Sequence, residues 1–279
     1  MEPFQYSKVY VEITNICNKN CSFCHGHHRA PKQMSQEEFL HILEQLKGKT
    51  NYVYYHLMGE PFTHPQLPAF LETAAKMGFR SILTTNGTLL ERRGEEILKA
   101  GIHKINISVH SFEENERSDY EKYLDQIAAF AKKASQGGVI VVLRFWNREY
   151  DEGRNDLAVQ YLKSVINGDW VENTRGLRIR DKLFLEWGDR FAWPDMGAEV
   201  QGDQFFCYGL KDHFGILCDG TVVPCCLDAE GVISLGNVFR QDLSEILNTT
   251  RARAIPCGFE KRQAVEELCR KCGYAQRFV

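Results

Sequence analysis

Along this chain, short apolar runs of period two alternate with longer stretches of helical period. Residues 8–14, Lys-Val-Tyr-Val-Glu-Ile-Thr, place apolar side chains at every other position, as in a strand with one buried face. The same reading predicts strands at residues 52–58, 81–85, 104–110 and 139–145, with Asn86-Gly87 turning the third. Between them, Ser35-Gln36-Glu37-Glu38 forms a capping box that opens a helix with Phe39, Ile42, Leu43 and Leu46 on one face. Further helices are expected at 65–77, 90–100 and 117–135, the last stopped by Gly137-Gly138. A sixth unit combines a helix over 156–166 with a strand somewhere in 177–187. Strands alternating with helices imply parallel pairing through right-handed crossovers, and hence a closed or partly closed α/β barrel of six units.

After Trp187 the pattern changes to short segments. Phe214-Gly215-Ile216-Leu217 and Thr221-Val222-Val223-Pro224 flank a hairpin turn at Asp219-Gly220, and a helix is expected near 243–253. The domain expectation is therefore a barrel over 1–187 and a small hairpin-plus-helix extension over 188–279.

Composition narrows the class. With 279 residues, 43% hydrophobic and 25% charged, the chain can bury an extensive core. Lys and Arg number 34 against 37 Asp and Glu, a net charge of −3, which provides no basic field for nucleic acid. No apolar run reaches the roughly 18 residues of a membrane span, and the first strand begins too early for a signal segment, so a cytoplasmic protein without a membrane partner is expected. In that compartment ten cysteines read as metal ligands rather than as a disulfide framework.

The chemistry begins at Cys17-Asn18-Lys19-Asn20-Cys21-Ser22-Phe23-Cys24, in the loop after the first strand. One short loop can aim three sulfurs at one point, and three ligands on a four-coordinate centre leave a position open for catalysis. Spacing alone also admits a zinc site with His25 as fourth ligand, or metal-free thiols. Barrels of this kind build their sites at the carboxyl ends of the strands. There this chain carries the cysteine loop, Glu60, Thr85-Asn86, Ser108 with His110, and Arg144.

Cys-x3-Cys-x-aromatic-Cys after the first strand, with Met58-Gly59-Glu60-Pro61 after the second, resembles the radical S-adenosylmethionine (SAM) superfamily. The resemblance spans residues 8–147. It implies that Cys17, Cys21 and Cys24 hold a [4Fe-4S] cluster whose remaining iron is chelated by SAM. It further implies cofactor contacts from Phe23, Gly59, Glu60, Asn86, Ser108 and Arg144. His110 stands where related enzymes often carry an acidic residue. His110, Arg144 and Arg190 are candidates to touch substrate at the barrel mouth, and Trp187 and Trp193 could wall it.

Seven cysteines lie beyond Trp187. Cys207, Cys225, Cys269 and Cys272 form a four-thiolate set that suits structural zinc or an iron–sulfur cluster. Their layout, with Asp219-Gly220-x4-Cys225 and Leu235-Gly236-Asn237-Val238, resembles the twitch or SPASM extension of radical SAM barrels, which implies one auxiliary cluster, expected to be [4Fe-4S]. Cys218, Cys226 and Cys257 are left over and expected to be buried thiols, with Cys226 or Cys257 able to replace a ligand.

By this resemblance the protein is expected to be an oxidoreductase that cleaves SAM reductively to a 5'-deoxyadenosyl radical, with electrons from a reductant such as flavodoxin or ferredoxin. The radical takes a hydrogen atom from substrate, and an auxiliary cluster lets the substrate radical lose an electron. A small-molecule substrate is expected, because only seven residues precede the first strand and peptide maturases often carry a leader-binding domain there. A peptide-modifying enzyme is the alternative, and an electron carrier or zinc protein the remote one.

Overall fold

The computed structural model describes residues 6–112 and 119–278. Six strands pair in parallel: β1 (Lys8–Val11), β2 (Tyr52–Tyr54), β3 (Arg80–Thr85), β4 (Lys104–Ser108), β5 (Ile140–Arg148) and β8 (Leu183–Asp189). Helices α1 (Gln36–Leu46), α2 (Leu67–Lys76), α3 (Leu90–Lys99), α4 (Tyr120–Gln136) and α5 (Arg154–Val165) provide the crossovers. The expected capping box is present: the Ser35 hydroxyl accepts from Glu38 N while the Glu38 carboxylate accepts from Ser35 N. The predicted start of α4 at residue 117 lies outside the described residues.

The period-two reading has a direct physical counterpart. Val9 and Val11 are fully buried against the helices, while Lys8 and Tyr10 between them face a central cavity. On β5 the buried Leu143 and Phe145 alternate in the same way with Arg144 and Trp146, which line that cavity. The lumen side of these strands thus carries charged and aromatic side chains, and the helix-facing side aliphatic and phenyl ones.

The sixth unit differs from expectation. Residues 176–189 form two antiparallel strands, β7 (Gly176–Arg180) and β8, because Lys182 takes a left-handed conformation (φ 56) and reverses the chain. A further strand, β6 (Val171–Asn173), pairs with β7. The predicted helix over 243–253 is also two helices, α6 (Leu243–Leu247) and α7 (Thr250–Glu260). Thr249 between them is extended (φ −61, ψ 155), and its side chain accepts from Ala252 N, so it caps a new helix rather than continuing the old one.

The expected hairpin is β9 (His213–Ile216) and β10 (Thr221–Val223), with Gly220 at φ 87 in its turn. It does not stand apart. β9 pairs in parallel with β1, from Lys8↔His213 to Val11↔Ile216, and β10 carries β11 (Gly236–Asn237) on its other edge. The result is one open sheet of 11 strands in the order β11-β10-β9-β1-β2-β3-β4-β5-β8-β7-β6, a partial barrel whose C-terminal segment extends its first edge. The short helix α8 (Glu267–Arg270) ends the cysteine-bearing region. Among the described residues no helix is long and apolar enough to cross a membrane.

Candidate active site

The three-cysteine loop leaves β1 through Thr14 and Asn15. Asn15 closes it: its Nδ2 donates to Ala30 O at 2.8 Å, and its Oδ1 accepts from Lys32 N at 2.8 Å. The two ends of the loop are thereby fixed together, and Cys24 N donates to Cys21 O at 3.0 Å, closing a turn between the second and third cysteines. Burial raises the Cys17 thiol pKa, and the nearby Glu60 carboxylate and Cys24 thiol push in the same direction. Asn18 and Asn86 link the loop to the exit of β3, Nδ2 of Asn86 donating to Oδ1 of Asn18 at 2.9 Å.

Gly59 lies against the root of this loop. Its φ is 74, and a Cβ there would come within 2.3 Å of Thr14 O, so only glycine permits the approach. Next to it, Glu60 N donates to Ile16 O at 2.9 Å. The Glu60 carboxylate is buried and occupied within the protein, accepting from Phe62 N at 3.0 Å and Asn86 N at 2.6 Å. Burial nonetheless dominates and lifts its pKa to about 7. Arg93 fixes the following turn from α3: its Nη1 donates to Phe62 O at 2.6 Å and His64 O at 2.7 Å. Its Nε pairs locally with Glu96, but nothing in that helical pair announces the carbonyls it holds, which lie about 30 residues earlier.

Of the remaining strand-exit residues, half-buried Ser108 stands opposite Arg144 in the β4–β5 register. His110 belongs to a short 3-10 turn after β4. Its Nδ1 lies 3.0 Å from Arg144 O and its ring 5.1 Å from that of Phe23. Burial holds its pKa down to about 4, so it is neutral near pH 7. Arg144 stacks its guanidinium 4.5 Å from the Trp146 ring. Arg190 lies 5.4 Å from the ring of Phe23. Trp193 stacks on His25 at 6.0 Å and joins the cavity wall.

The four later cysteines converge from separate segments. Cys225 is influenced by Cys207, Cys269 and Cys272, and burial pushes all four thiol pKa values up. None is in a disulfide. Half-buried thiols crowded without a bond between them are suited to a metal group that stabilises the thiolate form. Cys226, beside them, contacts Tyr10. Two expectations need correcting: Cys226 is only half-buried, and Cys257 is exposed, because Ala252, Ile255 and Phe259 take the inward face of α7. Cys218 is buried as expected, and burial with the Glu12 carboxylate raises its pKa to about 12.

A cavity of about 730 Å³ brings some of these parts together, while Gly59, Glu60, Asn86, Ser108 and the three thiols of the first loop are not on its wall. Its wall includes Phe23 from the three-cysteine loop, His110, Arg144 and Arg190 from the strand exits, and all four later cysteines. That volume is within the usual range for small-molecule sites.

A parallel half-barrel with a three-thiol loop after its first strand, and four more thiols on the wall of its cavity, carries the ligand types that iron–sulfur clusters require. Sequence comparison is specific about which class. Residues 11–155 match the Radical SAM superfamily and residues 207–273 match an iron–sulfur cluster-binding domain, SPASM; the chain belongs to the Radical SAM superfamily. It is similar to the GTP 3',8-cyclase of Microcystis aeruginosa, at 23% identity over 90% of each chain. The GTP 3',8-cyclase of Chlorobaculum tepidum is 28% identical over 89% of this chain and 77% of its own. Among solved structures, BtrN in complex with AdoMet and 2-DOIA superposes with a TM-score of 0.63 at 17% identity, covering 97% of this chain and 94% of that one. SuiB of Streptococcus suis bound to S-adenosylmethionine gives 0.62 at 16% identity, covering 98% and 72%. The protein is a radical SAM enzyme, with a [4Fe-4S] cluster, SAM and an auxiliary iron–sulfur cluster as its cofactors. Enzymes of this class act on small-molecule or peptide substrates.

Proposed function

We propose that this enzyme oxidises a small molecule by two electrons. When bound, the cofactors supply a 5'-deoxyadenosyl radical for hydrogen-atom abstraction and a nearby acceptor for the second electron. Cys17, Cys21 and Cys24 would hold the SAM-binding cluster, and Cys207, Cys225, Cys269 and Cys272 the auxiliary one, as [4Fe-4S]. Gly59 and Glu60 would present backbone toward the methionine moiety, Phe23 toward the adenine, and Asn86 and Ser108 toward ribose and carboxylate. A flavodoxin- or ferredoxin-like reductant would deliver the first electron. The chain divides functionally into 1–187, which generates the radical, and 188–279, which receives the electron.

The observation that carries the reading is the shared cavity: Phe23 and the four later cysteines line the same space, so a substrate there is within reach of both ends. Neutral His110 on its wall can donate or accept a hydrogen bond without introducing a charge. A second reading, bond formation within a nucleotide, is favoured by the GTP 3',8-cyclase relatives.

The test is anaerobic turnover of the iron-reconstituted protein with SAM, dithionite and candidate compounds. A small molecule that raises 5'-deoxyadenosine release and leaves two hydrogen atoms lighter supports the first reading. A cyclised product of unchanged mass from GTP supports the second.

A further inference from the structure

We propose that the substrate is a singly charged organic acid with an apolar, ring-bearing body, and that Arg144 and His56 receive its carboxylate on the wall of the shared cavity. This rests on the reading above, that the cavity holds substrate. The Arg144 side chain is 16% exposed and its nearest counter-ion, Glu186, is 3.9 Å away, beyond hydrogen-bond length. Among the described residues, Arg144 Nε is buried with no hydrogen-bond partner, and so is Nδ1 of His56, which lines the same cavity. Both side chains line this one cavity, and the Arg144 charge helps to hold the His56 pKa down, after burial. A buried guanidinium with unfilled donors is costly by itself, and its planar fork matches a carboxylate in two-pronged fashion.

Arg144 lines the cavity together with Tyr10, Tyr54, Cys226 and the four later cysteines, a wall to which the three-cysteine loop contributes Phe23 and not its thiols. It also stands opposite Ser108 in the β4–β5 register. SAM affinity in an Arg144 variant therefore separates a substrate contact from a cofactor contact.

Charge limits the ligand. Apart from its cysteines, the cavity wall carries four basic side chains, Lys8, Arg144, Arg175 and Arg190, against three acidic ones, Asp189, Asp212 and Asp228, leaving one net positive charge among them. One carboxylate suits such a site, whereas a nucleoside triphosphate would bring several uncompensated negative charges into a largely aromatic space. Tyr10, Tyr54, Phe23 and Trp146 provide the faces on which a ring would stack.

The experiment titrates phenylacetate, phenylacetamide and GTP into the reconstituted holoenzyme with SAM bound, following tryptophan fluorescence under anaerobic conditions. Phenylacetate should bind about tenfold or more tightly than its amide, the effect of charge-assisted hydrogen bonding. In Arg144→Gln that preference should collapse while SAM affinity is unchanged. Equal binding of acid and amide to the wild type overturns the proposal, as does tighter binding of GTP, or a loss in Arg144→Gln of SAM affinity with the acid preference intact. The wild-type comparison stands even if the variant folds poorly. Dithionite-dependent release of 5'-deoxyadenosine is scored in parallel: release without a carboxylate preference sinks this inference alone, and no release sinks the functional reading beneath it as well.

Discussion

Glu12 and Arg29 face each other as a two-pronged pair, Nη1 to Oε1 and Nη2 to Oε2 both at 2.8 Å, with the Glu12 side chain fully buried and that of Arg29 13% exposed. The pair does more than neutralise itself. Glu12 also accepts from Met58 N at 3.0 Å and Cys218 N at 3.3 Å, while Arg29 Nε donates to Ala229 O at 2.7 Å. Strand β1, the exit of β2, the far end of the three-cysteine loop and the C-terminal segment therefore meet at one ion pair.

Removing one partner would leave the other charge buried and uncompensated. Glu12→Gln should destabilise the protein by about 3 kcal/mol or more, read as a lowered urea midpoint. Because Arg29 belongs to the cysteine loop, iron bound after reconstitution should fall as well. An unchanged midpoint would mean that the pair contributes little to this junction.

The two cysteine sets predict different losses. Cys21→Ala should abolish 5'-deoxyadenosine formation and remove roughly half the iron, the share of one of two four-iron clusters. Cys269→Ala with Cys272→Ala should remove a similar share yet leave some SAM cleavage, while product disappears. Cleavage at wild-type rates in Cys21→Ala would refute the assignment of the loop, and full turnover in the double variant would make the later set structural.

Gly59 allows a third test. Alanine there must occupy a left-handed conformation and place its Cβ 2.3 Å from Thr14 O. Gly59→Ala should cost on the order of 1–3 kcal/mol of stability. It should also weaken SAM binding, because the strand exit must withdraw from the loop. Calorimetric titration of SAM would measure the second effect, and wild-type affinity would show that the contact is not needed.

What the sequence made legible follows from how local each signal is. Alternation in residues 8–14 and the spacing of Cys17, Cys21 and Cys24 are patterns within a few residues, and both led to the barrel strand and the loop. The pairing of β1 with β9 joins residues some 200 positions apart, so no local pattern announces that the hairpin would complete the barrel's own sheet. Thr249 was hidden differently: a helical period runs across it, and only its extended backbone and capping hydroxyl reveal a break. Arg144 could be placed on its strand from sequence, but not its lack of a hydrogen-bonding partner, which depends on side chains from β1, β2 and β8.

Glu60 gives the stability a pH dependence with a definite sign. Burial raises its pKa from an ordinary 4.5 to about 7 in the folded protein. Between those values the folded state holds a proton that the unfolded state has released, so stability falls as pH rises through this window and levels off above it. The contribution is about 3 kcal/mol across the interval, from about 1.4 kcal/mol per pKa unit. In the protein without SAM, urea midpoints measured from pH 5 to 8 should decline for the wild type and be flatter for Glu60→Gln, which retains a neutral amide at that position. A wild-type midpoint that runs parallel to that of Glu60→Gln over the same range would show that the hydrogen bonds from Phe62 and Asn86 outweigh burial and keep the carboxylate ionised throughout.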